Sequence, residues 1–357
     1  MVEIGKICQA FRFVYRCSSV VKEESFRQIG RDLLPLLSSV VKKALSTVIS
    51  GHTYTSNIVK DTSRRKRDDT SQKYTNEDRS ESPSESSDSL STSDTVEKFA
   101  SNRGRADAAT YVLEGALGAL RNLSSAPSAE DLMSKHAGFL DLLLKVVRYD
   151  MISTDAKANT LNVIVNLAHC YENKKVMIEH SDVLDMFVAC ASDSDDLIRN
   201  AAACGLQNLT AHDKNILTMV KHVGLLQASI NLLHDSNNET REFAAGTLQN
   251  LSVAKKNAKF LACFDNGAIV KEVLKVIAKD GYPIPRNRSI WMLGNILCAE
   301  TLFIINLDGI LDVLAIAAAK DSLEDTRVQA ALIFKSFIML LIGKGVKKRG
   351  AHAPSQS

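Results

Sequence analysis

The chain has 357 residues, 45% of them hydrophobic and 6% aromatic, and carries a net charge of +3. That length is enough for a large core, or for two or three ordinary domains on length alone, and the charge is too small by itself to direct the chain to nucleic acid or a membrane. Seven dispersed cysteines (Cys8, Cys17, Cys170, Cys190, Cys204, Cys263 and Cys298) form no C-x-x-C pair. This excludes a disulfide framework and fits reduced thiols in a cytoplasmic, possibly nuclear, protein.

In chain order, residues 1–17 ("MVEIGKICQAFRFVYRC") lack the charged start, apolar run and cleavage site of a signal peptide. An apolar helix follows around "DLLPLL". Residues 51–104 then change character: within 61–95 there are ten Ser and five Thr among 35 residues. Such a segment cannot bury enough apolar surface to offset its ordering entropy, so a mostly disordered insertion is expected. It opens with Arg64, Arg65, Lys66 and Arg67, which resemble a short nuclear localisation signal, and continues as "SESPSESSDSLSTSD", a good kinase substrate on charge grounds. The insertion is also expected to fold back and compete for whatever the folded part binds. No stretch reaches the roughly 18 apolar residues of a membrane span. "VQAALIFKSFIMLLIG" at 328–343 is short and carries Lys335, and 344–357 reads as a basic disordered tail.

From residue 105 to 343 the elements repeat. "LRNLSS" (Asn122), "VNLAHC" (Asn166), "LQNLT" (Asn208), "LQNLS" (Asn250), "LGNILC" (Asn295) and "FKSFIM" (Ser336) follow one another at intervals of 44, 42, 42, 45 and 41 residues. A second anchor is an apolar run after Gly or Asp, at Leu140, Leu184, Leu226, Ile269 and Leu311, and it precedes the Asn slot by 24 to 26 residues each time. In the first copy Leu34 precedes Asn122 by 88 residues, so an insertion of about 63 sits inside that repeat. The 18-residue step from Asn122 to Leu140 is matched by the step from Arg16 to Leu34. Residues 1–17 therefore read as a capping helix or the last helix of a partial repeat, and the chain is expected to start partway through a unit. A period of ~40–47 residues marks a helical solenoid. Each unit holds a short helix ("NILTMVKHV"), a second with apolar helical spacing ("GFLDLLLKVV") and a longer third that carries the Asn ("REFAAGTLQNLSVA"). Pro283 and Pro285 are expected to separate two helices.

Three helices per ~42 residues, the third reading A-A-x-x-L-x-N-L, resemble the armadillo repeat family, of the type found in β-catenin and importin-α. The resemblance covers nearly the whole chain except the insertion and the tail. It implies an all-α, right-handed α-solenoid of about six repeats over 18–343, one array rather than three domains, with the third helices lining a concave groove. It also implies that the Asn row holds an extended peptide by its backbone, a role carried to Asn122, Asn166, Asn208, Asn250 and Asn295. An amide side chain offers one acceptor and two donors, which suits that task. The alternative is that these amides satisfy neighbouring helix ends within the solenoid.

Four and seven residues before Asn295 stand Trp291 and Arg288, nearly in line with it on a helix. They are expected in a binding hot spot, or alternatively in core packing. Trp291 with Asn295 matches the W-x-x-x-N pair of importin-α, but Gly118, Asn162, Cys204 and Gly246 fill the Trp position elsewhere. Nine residues before each slot stands a base: Lys157, Arg199, Arg241, Arg286 and Arg327. Half a turn off the Asn direction, they should face away from the groove and pair locally with Asp155, Asp196, Glu239 and Asp325. His136, His180 and His222 recur too, but equivalent positions ~10 Å apart cannot share one metal ion. No phosphate loop, G-x-S-x-G or H-E-x-x-H is present. The expected function is a non-enzymatic scaffold with protein partners, no cofactor, no metal, no small-molecule substrate and no membrane span. A nuclear-transport adaptor is the alternative within binding proteins. An RNA-binding α-solenoid is the alternative of another class, but it would need basic and aromatic residues along the groove.

Overall fold

The computed structural model describes residues 31–53, 56, 92–298, 301 and 309–350, with backbone alone for 92–99, 127, 128 and 343–350. In chain order the helices are α1 (Arg31–Thr53), α2 (Thr92–Ser124), α3 (Pro127–Ser134), α4 (Phe139–Val147), α5 (Thr154–Leu167), α6 (Tyr171–Glu179), α7 (Ser181–Cys190) and α8 (Asp196–Thr210). They continue as α9 (Asp213–Met219), α10 (Leu225–Leu232), α11 (Asn238–Val253), α12 (Ala258–Cys263), α13 (Ala268–Lys279), α14 (Pro283–Ile296), α15 (Ile310–Lys320) and α16 (Glu324–Gly350). There is no strand among the described residues. The triplet of the repeat recurs as α3–α5, α6–α8, α9–α11 and α12–α14. Helices α1 and α2 are the second and third of the first repeat, and α15 and α16 those of the sixth.

Glycines at the first corner explain the anchor seen in the sequence. Gly138, Gly224, Gly267 and Gly309 precede α4, α10, α13 and α15 with φ of 70°, 82°, 87° and 79°. That left-handed conformation lets the chain turn sharply between first and second helices, and it is costly for residues with a Cβ. The second corner is closed by side chains. Asp195 and Asn237 cap α8 and α11 by accepting from the second and third backbone N–H groups of each helix. Of the two prolines expected to separate two helices, Pro283 marks the boundary between α13 and α14 and Pro285 does not. Pro283 opens α14, where its missing N–H costs nothing, and Pro285 lies buried within it.

The chain divides into two compact units, Met1–Val163 and Ile164–Ser357, with the boundary inside α5. In the first unit, α1 buries the stripe Leu34, Leu37, Val41, Ala44, Leu45 and Val48. Its 23 residues and mean hydropathy of 1.4 meet the length and composition of a membrane span, against the sequence expectation that no stretch does. The stripe is instead buried within the protein, and Lys42 and Lys43 are exposed in mid-helix. The helix closes against α2 at Gly51, where an added Cβ would come within 2.7 Å of Ala106 Cβ. His52 Nδ1 and the Tyr149 hydroxyl, 2.8 Å apart, tie its end to the turn after α4.

Two expected boundaries move. Residues 51–53 complete α1 and 92–104 begin α2, so the expected insertion 51–104 narrows to the residues between them. The expected tail 344–357 is helical to Gly350, because α16 runs on past the glycines at 343 and 345. Residues 1–17, Arg64, Arg65, Lys66 and Arg67 lie outside the described residues.

Candidate functional site

The repeated LQNL divides its residues between two faces. Leu206, Leu209, Leu248 and Leu251 are at most 1% exposed. Their burial stabilises the stack by roughly 1.5–3 kcal/mol per side chain. The intervening Asn208 and Asn250 are half-buried, as are Asn122, Asn166 and Asn295 in the same slot of α2, α5 and α14. In the second unit Asn208, Asn250 and Asn295 each reach back one repeat. Asn208 Nδ2 donates to the Val165 carbonyl at 3.4 Å, and Asn250 Nδ2 to the Gln207 carbonyl at 3.4 Å and Thr210 Oγ1 at 3.1 Å. Asn295 Nδ2 donates to Ser252 Oγ at 2.9 Å. The row therefore joins consecutive third helices. No described residue donates to the Oδ1 atoms of Asn208, Asn250 or Asn295.

A second asparagine row, seven residues further on, was not recognised in the sequence. Asn173, Asn215 and Asn257 are buried, at 2–4% exposure. Asn215 Nδ2 donates to the carbonyls of Leu209 and Lys174, both at 3.0 Å, and Asn257 Nδ2 to those of Leu251 at 2.9 Å and Ile216 at 3.4 Å. Asn173 Nδ2 donates to the Leu167 carbonyl at 3.1 Å. These amides satisfy the last carbonyls of a third helix, groups left without partners by the helix itself. The period of 42 residues was visible; what was missing was a reason to look at the first helix.

Trp291 and Arg288 lie in the groove row but point opposite ways. Arg288 reaches back to α11, with Nη2 3.2 Å from Glu242 Oε1 and Nη1 3.4 Å from Gln249 Oε1. Trp291 Nε1 reaches forward to α16 and donates to Asp325 Oδ2 at 3.3 Å. The same carboxylate accepts from Asn287 Nδ2 at 2.9 Å. Both side chains are half-buried, so Trp291 is not closed inside the core. The cluster thus links three consecutive third helices around Asn295. Next to Asn208, burial pushes the Cys204 thiol up to about 11, and it stays protonated at neutral pH.

Arg199, Arg241 and Arg286, at third-helix starts, do face away from the Asn row, but their carboxylate partners are not local. Arg199 Nε lies 2.6 Å from Asp235, Arg241 Nε 2.7 Å from Asp280 and Arg286 Nε 2.7 Å from Asp321, each one repeat further on. The Nη1 atoms of Arg199, Arg241, Arg286 and Arg327 donate to carbonyls at their own corner. Each guanidinium has five donors in a rigid fork, which suits spanning two corners better than a one-turn ion pair. Asp235, Asp280 and Asp321 are 4% exposed. Burial alone would raise their pKa values, but the arginine and backbone hydrogen bonds outweigh it and hold them below the ordinary range.

Among the recurring histidines, His222 Nε2 pairs with Asp185 Oδ1 at 3.1 Å, and no group of three metal-ligating side chains occurs among the described residues. In the first unit a concavity of about 730 Å³ lies between α1 and α4, lined by Ser38, Ser39, Ser46, Lys42, Lys145 and Asp141 among others. It sits on second helices, away from the Asn row, and its mixed charges single out no ligand.

No protein-family model matches the chain, and no curated protein matches it in sequence. Solved structures do match its fold. A designed armadillo repeat protein superposes with a TM-score of 0.55 at 19% identity, over 63% of this chain and 93% of its own. Another, solved in complex with the peptide (KR)4, gives 0.52 at 18% identity over 66% and 94%. UNC-45 from Drosophila melanogaster gives 0.55 at 16% identity over 69% of this chain and 33% of its own. The chain therefore has the armadillo repeat fold.

Proposed function

We propose that this protein is a non-catalytic scaffold that binds extended segments of other proteins along the third helices α8, α11, α14 and α16. The observation that carries this reading is the state of the Asn row. Asn208, Asn250 and Asn295 are each oriented by donating Nδ2 to the preceding repeat, and their Oδ1 atoms are left available to accept a backbone N–H. Repeats spaced roughly 10 Å apart would then meet an extended chain, rising ~3.3 Å per residue, every third residue or so. Main-chain capture of this kind gives affinity, and neighbouring side chains give specificity. Trp291, Arg288 and Asp325 supply those side chains beside Asn295. The nuclear-transport alternative would need the groove to accept lysine stems along its length. A single Trp, with the Arg288 cation in the next position, favours a more general scaffold. Residence in the cytoplasm, with entry to the nucleus through Arg64, Arg65, Lys66 and Arg67, belongs to the same proposal.

The test is to select binders from a phage-displayed library of random 12-residue peptides and measure them against two single variants. Asn295→Ala removes both the acceptor and the bond to Ser252, whereas Ser252→Ala removes that bond, together with the Ser252 bond to the Gln249 carbonyl, and keeps the acceptor. A groove ligand should bind Asn295→Ala several-fold more weakly and Ser252→Ala within about twofold of the parent, as loss of a single hydrogen bond would give. Equal losses in the two variants, or none, would assign the row a purely structural role.

A further inference from the structure

Along α14 three slots face the next repeat, at one, four and eight residues before the Asn position, and in α8 the first and last of these do, at Gln207 and Asn200. Asn200 Nδ2 donates to Thr240 Oγ1 at 3.1 Å, and Asn287 Nδ2 to Thr326 Oγ1 at 3.0 Å. Trp291 meets Asp325, and at Gly294 an added Cβ would lie 2.8 Å from Ile333. In α16 the equivalent slots hold Lys335, Leu332 and Val328. Val328 is 48% and Leu332 52% exposed, and the stripe continues with Met339 at 63% and Ile342 at 57%. Thus the face that elsewhere packs against a third helix is apolar and open in the sixth repeat. A contiguous apolar stripe left open in this way marks an interaction surface.

The spacing says what kind of element covers it. Val328, Leu332, Lys335, Met339 and Ile342 follow one another at steps of 4, 3, 4 and 3 residues, and Val346 continues the series. That is the apolar repeat of a two-stranded coiled coil, not the wider face of a globular helix. The helix is also 27 residues long, against 14 to 16 for α5, α8, α11 and α14. Its ends carry opposite charge in sequence: Glu324 and Asp325 in the first turn, Lys344, Lys347, Lys348 and Arg349 in the last two.

We propose that two copies of this chain associate through α16, packed antiparallel about a two-fold axis. Charge selects the orientation: an antiparallel pair sets each basic end beside the partner's acidic start, while a parallel pair sets like against like. The helix dipoles favour the same arrangement. Matching the two series in knobs-into-holes layers places Leu332 opposite Ile342 and Lys335 opposite Met339. The face is then self-complementary and the assembly closes at two copies. Lys335 is the one charged residue in the seam, and its stem can lie along the apolar layer with the ammonium at the edge.

Sedimentation velocity on the full chain at 1 to 100 µM tests this (roughly the range in which modest self-association is resolved). The expected result is a species of twice the chain mass, lost in Leu332→Glu/Met339→Glu and strengthened at least several-fold in Lys335→Leu. Both acidic substitutions are at exposed positions, and an unchanged thermal melt of that variant at low concentration confirms that folding is intact. Register is read by mixing Leu332→Cys with Ile342→Cys chains under mild oxidation and locating the cross-link by mass spectrometry. A 332-to-342 link supports the proposal. A monomer throughout the range, a dimer that survives the acidic pair, or a 332-to-332 link would overturn it.

Discussion

The two ends of the third helices repeat at the same period with opposite chemistry. At the start, Arg199, Arg241 and Arg286 saturate carboxylates that are 4% exposed, and each ties its own corner to the next. At the end, Asn208, Asn250 and Asn295 tie each repeat to the one before, are only half-buried and keep an acceptor. The first row is closed and structural. The second holds its shape and still has something to offer a partner. Periodicity alone therefore does not distinguish a binding ladder from a stapling ladder; burial and unused hydrogen-bonding capacity do.

The sharpest way to break the contrast is to remove one member of the closed row. Arg241→Ala leaves Asp280 buried without its partner, and such a loss costs about 3–5 kcal/mol. A urea titration should show the midpoint fall accordingly. The double change Arg241→Met with Asp280→Leu should recover part of it, since apolar replacements of a buried pair are often tolerated. Recovery stays incomplete because Arg241 also holds the carbonyls of Asp235 and Ser236. A loss under about 1 kcal/mol for Arg241→Ala would instead place the row with exposed, weak ion pairs.

Next in size is the buried asparagine row, which is structural in the same sense. Asn215→Ala orphans the helix-end carbonyl of Leu209 and removes a second bond to that of Lys174, and an unsatisfied buried group costs about 1–3 kcal/mol. Stability should drop by that amount while binding of any groove peptide to the folded protein stays unchanged. Weakened binding at full occupancy of the folded state would blur the division between the two rows.

Acid separates the rows without mutation. Asp235, Asp280 and Asp321 have pKa values below the ordinary carboxylate range in the folded chain. A depressed folded pKa contributes stability that is fully present above the unfolded value, about 3.9, and is lost as pH falls through the folded value. The melting temperature should therefore hold from pH 7 to about 5 and fall below about 4. Asp280→Asn should flatten that acid slope, whereas Asn250→Ala, which carries no titrating group, should leave it unchanged. An acid slope identical in Asp280→Asn and the parent chain would remove the row from the acid response.

How much of this was legible follows from where each partner lies in the chain. The Asn slots, the three-helix unit and the outward direction of the arginines were legible, because a fixed period and 100° per residue determine them. The arginines' partners were not. A helical reading offers acids within one turn, whereas Asp235, Asp280 and Asp321 lie 35 to 36 or 39 residues on and become neighbours only when repeats stack. The back-bonds of the Asn row match the alternative reading, in which the amides satisfy neighbouring helix ends, but their acceptors, Val165, Gln207, Thr210 and Ser252, lie 40 to 43 residues away and were illegible for the same reason. Asn215 and Asn257 stand in plain register, but they lie outside the third helix and nothing local in the sequence marks their acceptors as one repeat away. The length of α16 was hidden by two glycines and a basic run that, in isolation, favour a tail.

The smallest expected effect concerns two glycines that flank the contrast. Gly205 faces the core, where an added methyl would overlap the ring of Phe187, a fully buried side chain. Gly246 lies under the Gln207 side chain, and its methyl would meet that flexible chain from Cγ outward, most closely at the amide end. Both glycines are in mid-helix, where alanine is favoured by about 0.8–1 kcal/mol. At Gly205 overpacking, about 1–3 kcal/mol, outweighs that gain and the melt should fall. At Gly246 the amide can swing into the half-open row, so Gly246→Ala should leave stability unchanged or raise it by up to about 1 kcal/mol. A loss at Gly246 as large as at Gly205 would mean that the groove side of the third helices is packed as tightly as the core. The amide row would then have no slack with which to receive a peptide.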